Sequence, residues 1–526
     1  MKKFNHEIYK QVILVLLIIL LGSAVYANSL HGQFIWDDAA LLKDNAYVKD
    51  WSKLIPVFTR DSGAGSSNTM NFYRPLQLFT YMISYSLWGL NVAGYHLTNV
   101  LLHILVALAV YRLSLLIFAS IPLSFFTAIL FVAHPVHTEV VSCISGRADS
   151  LSALFILMCL IFYIKSTREF SLSSYILMVS SCILAFLSKE NAIVITPLLL
   201  LYHYIFRQKL NWRLFLTPLT ISLIYLFARA ATLQSFFFGP DMVIKRIPGF
   251  FAALAGYLKI LLLPVDLHLE YSNKLFAITE PRVLFGLGVF FLLLFLAFKK
   301  RKSSPLTAFA VFWFFIALLP TTSIYPIHFF YMSEHWLYLP SIGFFLLLGW
   351  ALASLYEKKN YRFAGLGLLL CFLSTYSYLT VKQNNYWRNE LEFYKRTLQY
   401  APDSYIMHNN LGSLYASMGN KTEAIKEYLE AINLNPRYAA ACSNLGNTYN
   451  DLAADYADMG KIDEAIRLWN EAVRIDPGFA VAHFNLSVYY FKRKQYALAL
   501  RHCDKVLELG YQVDPRFLKE LEPFRK

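Results

Sequence analysis

Charge is scarce in this chain: 16% of its 526 residues are Asp, Glu, Lys or Arg, where a typical soluble domain carries roughly 25%. With 57% of the residues apolar, an ordinary water-soluble globule is excluded, because its surface would display large sticky patches. Cysteine in any useful arrangement is also missing. The six cysteines (143, 159, 182, 371, 442 and 503) show no Cys-x-x-Cys pair and no zinc-ligand spacing, so they read as small buried hydrophobes.

What stands in place of charge is a series of apolar blocks fifteen to twenty-five residues long, the length that a bilayer core of about 30 Å demands of a helix. Nearly all lie within residues 1–381, whereas 382–526 is amphipathic and polar. The expected fold is therefore all-α: a polytopic helical membrane bundle of about eleven spans, then a helical repeat domain. The expected domains are 1–381 in the membrane, a linker over 382–403, and repeats with a cap over 404–526.

The net charge of +14 does not point to nucleic acid, which is set aside as a partner. Much of the excess sits in short loops, at Lys2, Lys3 and Lys10; Lys165 and Arg168; Arg207, Lys209 and Arg213; Lys299, Lys300, Arg301 and Lys302; Lys358, Lys359 and Arg362. That is the positive-inside pattern of cytoplasmic loops. The N-terminus resembles a signal peptide but leads into many further spans, so an uncleaved first helix is expected. Spans are expected near 11–30, 95–117, 121–137, 148–164, 173–188, 191–206, 213–232, 281–298, 305–321, 336–356 and 363–381. The stretch 249–264, bounded by Pro248 and Pro264, is expected to be re-entrant or interfacial, and 75–90 to lie in the interface plane. An odd number of spans starting from a cytoplasmic N-terminus puts the repeats outside, in the periplasm of a bacterial inner-membrane protein or an equivalent compartment.

The same count gathers a set of polar segments on the outer side: Trp36–Asp38, Tyr73–Pro75, His134–Glu139, Gly146–Asp149, Lys189–Glu190 and Glu334–Ser341. Several of these charges abut hydrocarbon, where each costs at least about 2.5–3.5 kcal/mol at mid-bilayer. Residues that expensive suggest a lined cavity at the outer face. Asp37 and Asp38 can supply a general base and a partner that holds a hydroxyl or a cation; a solvated acid pair is the plainer reading. His134, His137 and Glu139 look superficially like zinc ligands, but the spacing of three, with Pro135 inside, lacks the i, i+4 geometry of a zinc helix. Arg147 and Asp149 either pair with each other or leave Arg147 to grip a phosphate. Lys189 either snorkels or contacts phosphate, and Arg74 is a third basic candidate. Asp149, Glu190, Glu334, His335 and Tyr338 complete the supporting set.

In the C-terminal part, Pro402 and Pro436 lie 34 residues apart, the tetratricopeptide (TPR) period. Leu411, Gly412, Tyr415, Gly419, Ala424, Tyr428, Ala431 and Pro436 mark the first unit. Leu445, Gly446, Tyr449, Ala465, Trp469, Ala472 and Pro477 mark a second whose interval is 41, so seven extra residues within Asn450–Asp458 lengthen it by about two helical turns. A third carries Leu486, Tyr490, Ala499 and Val506, giving units near 404–437, 438–478 and 479–511 with a polar cap after them. Stacked helix pairs of this kind commonly hold a peptide or partner protein, or serve only as a spacer.

Taken together, WDD after the first span, YRPL (73–76), HPVHTE (134–139), GRAD (146–149), SKE (188–190) and YLPS (338–341), followed by TPRs, resemble the transmembrane-and-TPR (TMTC) protein O-mannosyltransferases and their bacterial relatives, of the GT-C class. The resemblance implies a GT-C bundle with an outer-face catalytic cavity. It implies a polyprenyl-phosphate-linked sugar as donor (mannose or another hexose), a protein Ser/Thr hydroxyl as acceptor, Asp37 or Asp38 as base, and Arg74, Arg147 and Lys189 around the lipid phosphate. No cofactor follows from it, and a requirement for a divalent metal stays open. One departure stands out: where relatives read Glu-Arg before x-Leu-Tyr-Leu-Pro-Ser, this chain has Glu334-His335. A membrane-anchored TPR scaffold without catalysis is the competing reading. A transporter fits less well, because the charges gather at one face.

Overall fold

The computed structural model describes residues 2–66, 70–232, 240–271, 274–322 and 331–525. Among the described residues the regular structure is helical with no strand, and the chain divides into two compact units, 1–393 and 394–526.

In the first unit a helix stands at each of the eleven positions where a span is expected. They are α1 (Lys2–Tyr26), α4 (Val92–Phe118), α5 (Ile121–Ala133), α7 (Arg147–Arg168), α8 (Leu172–Ser188), α9 (Ile195–Phe206), α10 (Trp212–Thr232), α12 (Pro281–Lys300), α13 (Pro305–Leu318), α14 (Ser341–Glu357) and α15 (Arg362–Tyr386). Among the described residues, five helices are long and apolar enough to cross a bilayer unaided, six if one bent pair counts as a span; four more are apolar but shorter. Between these lie α2 (Leu54–Thr59), α3 (Pro75–Trp88), α6 (Thr138–Ser142) and α11 (Pro240–Leu262). The stretch 249–264 thus belongs to a 23-residue helix that packs along α12.

Apolar side chains of α4, α5, α7, α8, α9, α13 and α14 form one large core, with Phe131, Tyr163, Phe186 and Phe345 among its fully buried members. The apolar belt outside it (Leu16, Leu20, Phe227, Phe285, Phe295, Phe363) stays exposed, as lipid-facing side chains do. Helix α5 stops at Ala133 because Pro135 has no N–H to give and its ring crowds the preceding turn. The chain bends by 55° there and resumes as a single turn and α6. That break carries the HPVHTE motif. Inside lipid, interrupted backbone is tolerated only where protein or water meets its polar groups, and here the His134 and His137 rings do so.

The second unit is a TPR stack. Its repeats pair α17 (Tyr405–Ser417) with α18 (Lys421–Leu434), α19 (Ala439–Asp458) with α20 (Ile462–Ile475), and α21 (Ala480–Lys492) with α22 (Tyr496–Glu508); α16 (Glu390–Tyr400) precedes them and α23 (Pro515–Leu521) follows. All seven extra residues of the second repeat fall in its first helix, 20 residues long against 13 in α17 and α21. Each helix pair turns through a left-handed residue, Gly419, Gly460 and Lys494, whose N–H caps the preceding helix as a Schellman-type stop. Tyr428, Trp469 and Val506 fill the space between the paired helices.

Candidate functional site

The loop that follows α1 places its two acids in opposite environments. Trp36 adopts a positive φ of 60°, a conformation that costs a bulky residue on the order of 1–3 kcal/mol and needs surrounding structure to impose it. Beyond this kink Asp38 turns inward. It is 1% exposed and its carboxylate accepts the backbone N–H groups of Ile35 at 3.1 Å and Ser145 at 2.7 Å. Burial pushes its carboxyl up to about 7, against those amide bonds, which favour the ionised form. Asp38 therefore fastens the loop to the GRAD segment.

Asp37 stays exposed to water while protein packs around it. That crowding raises its carboxyl above the ordinary value, and the charges of Arg74 and His335 and a bond from the Trp36 side chain act in the opposite direction. Residues 37, 74 and 335 are thus neighbours in space, although three hundred residues separate the outer two.

Arg74 sits immediately before α3. Asp61 shapes the loop that delivers it by accepting the backbone N–H groups of Gly63, Met70 and Phe72 at 2.8–3.0 Å. The guanidinium stacks over the Phe72 ring at 4.2 Å and forms a two-bond fork with Glu190 at 2.7 and 3.2 Å. It also feels the charge of Asp149. Lys189 donates to both oxygens of Asp149, at 2.7 and 2.8 Å, with both side chains nearly buried. Two ion pairs, Arg74–Glu190 and Lys189–Asp149, are thus crossed between neighbouring residues of the SKE motif, and Arg74 brings the first of them to Asp37.

Arg147 lies elsewhere in the arrangement. It is fully buried; its Nε donates to Asn99 Oδ1, and its two terminal nitrogens donate to Ser84, Thr80 and the Tyr95 carbonyl. The Tyr81 ring covers it at 4.6 Å. With its donors spent inside the protein, Arg147 braces the start of α7, and Asp149 pairs with Lys189 instead of with it.

His134 and His137 are buried and bond within the fold: His134 meets the Leu261 carbonyl, and His137 meets the Phe131 carbonyl and Ser341 Oγ. Tyr338 hydrogen-bonds His103 at 2.7 Å. Glu334 accepts from the His268 N–H and the Tyr271 hydroxyl. Among the described residues no three His, Cys, Asp or Glu side chains gather as a metal site. Glu139, 5% exposed, accepts the backbone N–H of His335 at 2.8 Å and pairs with its Nδ1 at 2.6 Å.

Three polar residues that the motifs do not include hold this frame. Asn99 donates to the carbonyls of Val141, Cys143 and Ile144 while accepting from Arg147. Asn384 bonds Ser142, Asn28 and the Val25 carbonyl, and Asp61 shapes the Arg74 loop. Asn99 and Asn384 carry the one signal that could have found them, an amide within an otherwise apolar helix, α4 and α15.

Tetratricopeptide-repeat family models match residues 403–477 and 450–511. The chain is similar to a protein O-mannosyl-transferase of Caenorhabditis elegans, 29% identical over 447 residues that cover 80% of this chain and 63% of that one. It is also similar to the human protein O-mannosyl-transferase TMTC1, 26% identical with 80% and 55% covered. The chain spans less than two thirds of the length of either relative. Among solved structures, an Archaeoglobus fulgidus oligosaccharyltransferase tethered to an acceptor peptide matches 74% of this chain and 56% of its own, at 12% identity and a TM-score of 0.43, too loose a likeness to argue from. In its ordered motifs and in a membrane bundle followed by C-terminal repeats, the chain is similar to the transmembrane-and-TPR protein O-mannosyl-transferases.

Proposed function

We propose that the chain is a GT-C-type glycosyltransferase that moves a sugar, mannose or another hexose, from a polyprenyl-phosphate donor to a polypeptide Ser/Thr hydroxyl at the extracytoplasmic face of the membrane. The single observation that carries this reading is the unequal fate of the two adjacent acids. Asp38 is consumed by the fold, and Asp37 is left open to water beside cationic groups.

In the step proposed, the acceptor oxygen bonds to the anomeric carbon as that carbon's bond to the phosphate oxygen breaks. The hydroxyl proton passes to Asp37, and the lipid phosphate leaves with the bonding electrons. A base whose carboxyl lies above the usual range is better matched to a hydroxyl proton than an ordinary aspartate. Arg74, held in a fork by Glu190, is the guanidinium nearest this acid, and its planar donors suit the phosphate. Lys189 lies one pair further away. The TPR stack supplies the surface that binds the polypeptide acceptor.

The test is transfer by the purified full-length chain in lipid nanodiscs, using radiolabelled mannosyl polyprenyl phosphate and a Ser/Thr-rich peptide. Asp37→Asn is expected to lower kcat at least 100-fold, the range of general-base contributions being 10²–10⁴. Unchanged transfer by Asp37→Asn, or none by the wild type with any polyprenyl-phosphate sugar, overturns the proposal.

A further inference from the structure

His335 occupies a position that the mechanism above leaves unused. Its Nδ1 is bound to the Glu139 carboxylate at 2.6 Å, with Ser333 Oγ at 2.9 Å from the same nitrogen. Its backbone N–H goes to the other Glu139 oxygen at 2.8 Å. Both contacts fix the ring, and Glu139 is itself nearly buried, so the ring has little freedom to turn. The side chain is 25% exposed, and Nε2 has no hydrogen-bond partner among the described residues. The charge of this ring acts on Asp37.

A carboxylate that grips one nitrogen of an imidazole stabilises the imidazolium and aims the other N–H outward. An outward imidazolium N–H beside the proposed base is a binding group for an anion. Resting on the glycosyl-transfer reading, we infer that protonated His335, oriented by Glu139, donates from Nε2 to the lipid phosphate of the donor and of the leaving group. It would then be the second cation of the phosphate site beside Arg74, and the one whose charge depends on pH. No proton need be transferred: the phosphate leaves as an anion and the imidazolium only hydrogen-bonds it.

The charged and titratable groups that face the ring are Glu139 from α6 and Asp37 from the first outer loop. Glu334 of its own segment is taken up by His268 and Tyr271. The Trp336 ring stands edge-on to the imidazole at 5.8 Å.

The experiment is the pH profile of kcat/KM for the lipid donor, measured on the full-length chain in nanodiscs from pH 5 to 9. Inhibition by polyprenyl phosphate, the product, is read in parallel. The wild type is expected to lose kcat/KM on the alkaline side as His335 gives up its proton. His335→Arg should abolish that fall, because a guanidinium stays charged across this range. His335→Gln should weaken polyprenyl-phosphate inhibition at least tenfold at pH 6 and little at pH 9. Should His335→Arg fold poorly, Glu139→Gln serves as the second variant: with the ring no longer held by the carboxylate, polyprenyl-phosphate inhibition at pH 6 is expected to weaken several-fold. A His335→Arg profile that still falls like the wild type, or product inhibition indifferent to His335→Gln, overturns the inference. If the wild type transfers no sugar yet binds polyprenyl phosphate in a His335-dependent, pH-dependent way, the transfer reading fails while the phosphate site stands.

Discussion

Asp38 Oδ1 accepts the backbone N–H of Ser145 at 2.7 Å across 107 residues of chain, so the loop after α1 and the GRAD segment are clasped by one carboxylate. Substituting Asp38→Asn gives up an acceptor for one of its two amides, and an unmet buried N–H costs about 1–3 kcal/mol. Thermal or denaturant unfolding in detergent should show that loss for Asp38→Asn and almost none for Asp37→Asn. The transfer assay should order them otherwise: Asp37→Asn folds and is inactive. Equal stability of the two variants would contradict the division of roles.

The raised carboxyl of Asp37 has a sign that can be measured. Because the protein packed around it pushes it upward, the acid-side loss of kcat should have its midpoint above the ordinary aspartate value of about 3.9. Removing a nearby cation should move it higher still. Arg74→Gln is therefore expected to shift that midpoint to higher pH besides weakening donor binding, and a shift to lower pH would count against the placement of these groups.

Lys189 and Asp149 form a nearly buried pair, and such pairs are costly to break from one side. Lys189→Met alone should destabilise by about 3–5 kcal/mol, whereas Lys189→Met combined with Asp149→Leu should recover much of the loss. Unfolding free energies around the full double-mutant cycle decide this. Additive losses would mean that the two charges do not share an environment.

In the repeats, Lys494 holds the left-handed place that Gly419 and Gly460 hold in the other two units. A side chain there costs roughly 1–2 kcal/mol. Lys494→Gly should therefore raise stability by about 1 kcal/mol once the greater freedom of the unfolded glycine is deducted, read as slower hydrogen exchange across residues 480–508 in the full chain. Faster exchange there would refute it.

Most of the frame was legible from the residues because it rests on strong, repeated signals. Apolar blocks must become helices in lipid, and the TPR spacing forces helix pairs. The polar motifs between the helices do converge: residues 74 and 190 pair, with 37 and 149 near Arg74, and 139 pairs with 335. The partition among them was not legible. Nothing in the string Asp37-Asp38 says which acid faces inward, since that follows from the backbone twist at Trp36. Arg147 and Lys189 look alike as basic residues near the surface, yet one is spent on five internal acceptors and the other on Asp149. These choices depend on which polar partners other helices bring, Asn99 and Ser84 for the one and Asp149 for the other.

The kink at Trp36 has a mechanical consequence. One peptide unit joins the carboxylate that fastens the loop to the carboxylate proposed to take the proton, so the two cannot be adjusted separately. Any slackening of the clasp on Ser145 displaces the reactive oxygen atoms with it. Substitutions far from Asp37, at Asn99 or within residues 143–145, should accordingly impair turnover through misplacement while leaving every proposed reacting group intact.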